Sequence, residues 1–97
     1  MQVTGFDWDH GNWPKCGKHG VSRDEIEFVL QTEPLILPDR SGAEEVRYNA
    51  VGRNQSGRYV FVVFAFRERG GLVFMRPIGA RYMHKKEIRT YELSKDA

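Results

Sequence analysis

The chain has 97 residues, 40% hydrophobic and 12% aromatic, which suits one globular domain across residues 1–97 and leaves no room for a second core. A formal net charge of +2 and a pI near 8.9 are too mild to argue for nucleic acid by themselves. No apolar run approaches the roughly 20 residues that span a membrane, the first residues lack the basic-then-apolar pattern of a signal peptide, and the lone Cys16 excludes an intrachain disulfide. A cytoplasmic setting is the default expectation.

In chain order, Val3 to Trp8 reads as a short first strand, followed by a turn-rich stretch to Gly20 with room for one helical turn after Pro14. Ser22 then opens the clearest helix. With Glu25 three residues on it forms a capping box, each side chain bonding a backbone N–H that the first turn leaves unpaired, and Val21 and Ile26 have the spacing of a hydrophobic staple. Ile26, Val29 and Leu30 share one apolar face, and Pro34 ends the helix by about Thr32.

The middle reads as β. Leu35-Ile36-Leu37 is a short apolar run stopped by Pro38. Glu44 to Arg53 is a predicted strand and Asn54-Gln55-Ser56-Gly57 its turn. Arg58 to Arg67 is apolar almost throughout, which implies a central strand buried on both faces. Glu68-Arg69-Gly70-Gly71 is a hairpin turn, and Leu72 to Ala80 returns as a strand. Pro77 has no N–H for the ladder, so it needs an edge, a bulge or the strand's end. A last helix starts near Met83 or His84, with His84, Ile88 and Tyr91 on one face. The order predicts an α+β fold, an antiparallel β-sheet meander with helices packed on it.

Charge is unevenly spread. Arg67 to Arg89 holds seven Lys/Arg against two Asp/Glu, a net of +5, whereas Arg23 to Arg47 nets −4. A basic cluster containing His and Tyr suits a polyphosphate ligand better than a neutral metabolite.

Several segments resemble the BrnT family of toxins from type II toxin–antitoxin pairs. They are Phe6-Asp7-Trp8-Asp9, Lys18-His19-Gly20-Val21-Ser22, Gly42-Ala43-Glu44-Glu45, Gly52-Arg53, and Arg76 to His84 with Lys86-Glu87-Ile88 and Tyr91-Glu92. The resemblance implies a RelE/ParE-like fold and a metal-independent endoribonuclease that inhibits translation without a cofactor. It also implies neutralisation by a BrnA-type antitoxin, through which alone operator DNA would be reached. The family usually has serine where this chain has Gly79.

Metal-free RNA cleavage needs a base for the attacking 2′-OH, cations for the phosphorane and an acid for the departing 5′-oxygen. Arg76 and Arg81 are candidates for phosphate contact, because guanidinium is always charged and binds phosphate bidentately; pairing with Glu44, Glu45 or Glu68 is the structural alternative. Arg67 could join them, or could be a solvated strand end. His19 is the candidate general acid or base, because imidazole is the side chain suited to proton transfer near neutrality, and Lys18 beside it could bind phosphate; the alternative is a turn leading into the helix. His84 and Tyr82 could contact RNA or fill the rim of the core, and Lys85 and Lys86 could bind phosphate or form a solvated helix face. His10, His19 and His84 match no zinc spacing, so no metal site is expected. Trp8 reads as core and Trp13 as exposed to a partner. Two other readings remain open: a non-catalytic RNA- or protein-binding module, and a toxin of the same fold with a protein target, as ParE-type relatives poison gyrase.

Overall fold

The computed structural model describes residues 3–39, 42 and 44–95; Ala43, part of one matching segment, lies outside them. A mixed sheet of β1 (Gly5–Phe6), β2 (Leu35–Pro38), β3 (Tyr48–Arg53), β4 (Tyr59–Arg69) and β5 (Leu72–Tyr82) has the order β1-β5-β4-β3-β2. The chain also forms a 3₁₀ turn, Lys15–His19, and the helices α1 (Arg23–Gln31) and α2 (Lys85–Lys95). β2 to β5 form the expected antiparallel meander, while β1 pairs parallel with β5, so the sheet is not wholly antiparallel.

The capping box forms as the sequence predicts. Glu25 N–H donates to Ser22 Oγ at 3.1 Å and Ser22 N–H to Glu25 Oε1 at 3.1 Å. α1 lays Ile26, Val29 and Leu30 on one face of the sheet, against Ala50, Val60, Val62 and Phe64. Full burial of such a side chain contributes about 1.5–3 kcal/mol. Gly52 lets α1 come this close, since a Cβ there would stand 3.1 Å from Val29 Cγ1.

β4 is the middle strand, as expected, but it is not buried equally on both faces. Val60, Val62 and Phe64 are buried beneath α1, while Phe61 and Val63, on the opposite face, are only half-buried. The contiguous apolar run records a second apolar surface that α2 covers only at one end. Tyr59 meets Tyr91 of α2 edge-on there, with ring centroids 5.6 Å apart.

Several predicted boundaries shift: β4 runs Tyr59–Arg69, so Glu68 and Arg69, expected in the hairpin turn, pair with Val73 and Leu72, and α2 starts at Lys85. Only Gly5–Phe6 of the Val3-to-Trp8 stretch is strand, because its single neighbour β5 pairs with just two residues. The strand expected from Glu44 begins at Tyr48, opposite Phe64 and Pro38, where both ladders start. β5 continues two residues past Ala80, Tyr82 facing Val60. Its hairpin with β4 turns through Gly70 and Gly71, both at positive φ (58° and 81°), the combination a two-residue hairpin loop requires.

Pro77 resolves by a bulge. Phe64 faces Pro77 and Val63 faces Gly79, leaving Ile78 as the extra residue. The Pro77 carbonyl accepts from Asn12 Nδ2 (2.8 Å), and the same amide donates to Asp7 O (2.9 Å). The buried Asn12 thus fastens the N-terminal loop to the bulge. Because the bulge breaks strict alternation, Arg76 and Arg81, an odd number of residues apart, take the same sheet face: they oppose Ala65 and Phe61, which share a face with Arg67.

Candidate nucleic-acid site beside the start of helix α1

The strand arginines of the basic cluster, Arg67, Arg69, Arg76 and Arg81, are tied to carboxylates. Arg76, with 15% of its side chain exposed, donates from Nη1 to Asp7 Oδ2 (3.2 Å) and to Asp9 Oδ2 (3.0 Å), and from Nη2 to Asp9 Oδ1 (3.0 Å). The hydrogen bonds from Arg76, helped by the Gly11 N–H, lower the Asp9 pKa to about 2. Arg69 also pairs with Asp7, at 3.2 Å. Arg67 pairs with Glu45 at 2.7 Å and so is not a solvated strand end, while Arg76 and Arg81 take acids other than the Glu44, Glu45 or Glu68 expected for them. Arg81 binds Glu87 through two bonds, of 2.7 and 2.9 Å, and these lower the Glu87 pKa to about 2. Each arginine pKa resolved in these pairs, Arg76 and Arg81, is raised, first by the carboxylate bond.

His84 stands at the start of α2, its backbone N–H donating to Glu87 Oε1 (3.0 Å). His84, Lys86, Glu87 and Tyr91 border an open groove of about 840 Å3 whose floor is apolar, with Leu35, Leu37, Val51 and Phe61. Lys85 and Lys86 are exposed. All of this lies on the sheet face away from α1.

Lys18, His19 and Tyr82 belong to the other face. Tyr82 opposes Val60, and its hydroxyl donates to Glu25 Oε2 at 2.7 Å. That hydroxyl is also 3.5 Å from the Gly20 carbonyl, which brings the Lys18-His19-Gly20 turn against Tyr82. The expected helical turn after Pro14 is this 3₁₀ segment, closed by Gly20 in the left-handed region (φ 90°). Lys18 and His19 are exposed and form no ion pair among the described residues.

Glu25 escapes a reading of the sequence, where it is only a capping residue. Its second oxygen accepts from both Tyr82 Oη and Asn54 Nδ2 (2.8 Å). Burial pushes the Glu25 pKa up, but the bonds from Asn54, Ser22 and Tyr82 outweigh it and leave it lowered; the same contact with Glu25 raises the Tyr82 pKa. Arg58 is a second residue the sequence did not mark. Its guanidinium lies 3.6 Å from the Tyr82 ring centroid. Nothing local announces either contact, since Glu25 and Tyr82 are 57 residues apart.

Sequence reasoning made Trp8 core and Trp13 exposed. Both are half-buried and pack against the core, edge to face at 5.6 Å. Trp8 Nε1 donates to Glu27 at 2.8 Å. Among the described residues no three His, Cys, Asp or Glu side chains gather in a way that could hold a metal ion, and no helix is long and apolar enough to cross a membrane.

The chain matches no curated protein. A family model described as the ribonuclease toxin BrnT of type II toxin–antitoxin systems matches residues 8–87, which include the turn at Lys18-His19, α1, the whole of β2 to β5 and the Arg81–Glu87 pair. The chain therefore belongs to the BrnT family of ribonuclease toxins.

Proposed function

We propose that this ribonuclease is a metal-independent endoribonuclease that inhibits translation and cleaves RNA beside the start of α1, with Lys18 and His19 at the reacting phosphate. The observation that carries this reading is the closeness of the exposed Lys18-His19-Gly20 turn to the Tyr82–Glu25 pair, Gly20 O lying 3.5 Å from Tyr82 Oη. Substrate 2′-O attacks the adjacent phosphorus, the P–O5′ bond breaks, and a 2′,3′-cyclic phosphate and a 5′-hydroxyl result. His19 moves the proton, taking it from the 2′-OH and delivering it to the departing 5′-oxygen. Lys18 offsets charge on the phosphorane. Glu25, held as carboxylate, accepts from Tyr82 and gives the hydroxyl a fixed orientation at the site's edge.

In this reading Arg67, Arg76 and Arg81 act through the sheet rather than on phosphate, because each already holds a carboxylate. His84, Lys85 and Lys86 then belong to the partner side of the molecule. Membership of a type II family implies an antitoxin protein, here a BrnA-type antitoxin through which operator DNA is reached. The apolar groove under α2, with Lys86 and His84 at its border, supports protein contact on that face. A RelE/ParE-like ancestry of the sheet fits the meander and its flanking helices.

The deciding experiment is cleavage of a mixed-sequence RNA in EDTA by the purified chain, by His19→Ala and by Arg81→Ala. Cleavage by the intact chain that is lost in His19→Ala supports the assignment. Cleavage that survives in His19→Ala and vanishes in a folded Arg81→Ala moves the site to the α2 face.

A further inference from the structure

Two arginine–aromatic assemblies flank the Lys18-His19 turn, and neither is explained by the cleavage chemistry. On one side the Arg58 guanidinium lies over Tyr82, 3.6 Å from the ring centroid. On the other, Arg23 lies over Trp8 (4.8 Å) and near Trp13 (5.7 Å), and these residues with Asp9 and His10 line a small cup of about 160 Å3. The turn touches both. A Cβ on Gly17 would stand 2.6 Å from a Trp13 ring carbon, so the Trp13 ring lies directly against Gly17, while Gly20 O reaches Tyr82 Oη. Lys18 and His19 are the two residues between those glycines.

The arginines here differ from those of the strands. Arg23 and Arg58 are exposed and, among the described residues, make no ion pair. The acids nearest the Trp cup are already engaged, Asp9 by Arg76 and Glu27 by the Trp8 N–H. A guanidinium stacked on an aromatic ring presents an outer flat face to a base and a charged edge to phosphate, the combination that single-stranded nucleic acid recognises.

We propose that the Arg58/Tyr82 and Arg23/Trp8/Trp13 assemblies are two base-stacking subsites for single-stranded RNA, one on each side of the nucleotide held at Lys18-His19. The inference rests on the cleavage site proposed above. It adds that the substrate is unpaired and is gripped over at least three consecutive nucleotides, with little base preference, since every base has a face to stack. A duplex cannot offer its bases to these platforms.

Both tryptophans of the chain lie in one subsite, so binding reports itself. The test titrates the full chain with a single-stranded RNA oligonucleotide carrying 2′-O-methyl groups throughout, which cannot be cleaved. Tryptophan emission and the anisotropy of a labelled oligonucleotide are both followed. Quenching on binding is expected, as is weakening of about fivefold or more in each of Arg23→Ala and Arg58→Ala. Arg58→Lys keeps the charge but loses the stack, and should weaken binding while leaving its salt dependence unchanged. Arg89→Ala on α2 should bind as the intact chain does. Unchanged affinity in folded Arg23→Ala and Arg58→Ala, or equal binding of the same sequence as a duplex, overturns the proposal. Because the RNA is inert, these outcomes are independent of cleavage: a His19→Ala chain that still cleaves ordinary RNA would sink the catalytic assignment and leave the stacking result standing.

Discussion

Arg81 holds Glu87 through two parallel bonds, Nη1 to Oε1 at 2.7 Å and Nη2 to Oε2 at 2.9 Å, while Glu87 Oε1 also accepts the His84 N–H. One carboxylate therefore both caps α2 and ties it to β5. Glu87 has its pKa lowered from 4.5 to about 2, first by Arg81. A folded-state pKa below the unfolded one means that this contribution to stability is complete above about pH 4.5 and is lost as pH falls towards 2. In Glu87→Gln, α2 should loosen at neutral pH and lose that part of its acid dependence. Hydrogen exchange of the α2 amides between pH 3 and 6, compared after correction for intrinsic rates, checks this; unchanged protection in the variant would show that the pair does not hold the helix.

Asp7 is nearly buried and faces both Arg69 and Arg76. Asp7→Ala should cost about 1–3 kcal/mol, because Arg76 keeps Asp9 but loses one acceptor in a half-enclosed site. Asp9→Ala should cost less, its carboxylate being 48% exposed. Thermal or urea unfolding of the two variants gives the order directly.

His19→Ala should lower the single-turnover rate of RNA cleavage by about 10²- to 10⁴-fold, the usual contribution of general acid–base catalysis, with no change in melting temperature because the side chain is exposed. EDTA should leave the rate of the intact chain unaltered. A matching loss in Lys18→Ala, restored in part by Lys18→Arg, would identify the charge that meets the phosphorane.

Gly79 opposes Val63, and a Cβ built there meets nothing within 4 Å. Gly79→Ser should therefore fold without strain and melt no lower than the parent, since a strand-interior glycine loses more backbone freedom on folding. It would set a hydroxyl on the face that carries Arg81. Given the site proposed on the other face, the cleavage rate should stay within about twofold; an increase of an order of magnitude would argue for chemistry on the α2 side.

Local patterns carried much of the fold. The Ser22/Glu25 box, a hairpin turn at Gly70-Gly71 and an irregularity at Pro77, for which a bulge is one of three possibilities, all depend on a few neighbouring residues, and all three formed. The site was less legible, because its contacts join distant segments. Arg76 meets Asp7 and Asp9 from 69 and 67 residues away, so the strand arginines of a basic stretch became ion-paired in space. Arg58 reads only as the start of the central strand until the β4–β5 register brings Tyr82 under it. Lys18-His19 could be recognised as candidates, but their neighbours could not, since Glu25 shows only its capping role along the chain.

β2 is the last strand of the sheet, and Leu35, Ile36 and Leu37 are 41, 44 and 45% exposed along it. An outer strand of this kind offers backbone and apolar side chains to any extended segment that arrives, including the β2 of another molecule. Concentration and storage thus become variables of the isolated toxin: a stock freed of its antitoxin should lose active monomer faster as it is concentrated. Replacing Ile36 with lysine should slow that loss, and co-expression with the antitoxin should improve yield for reasons of colloidal behaviour as well as cell survival.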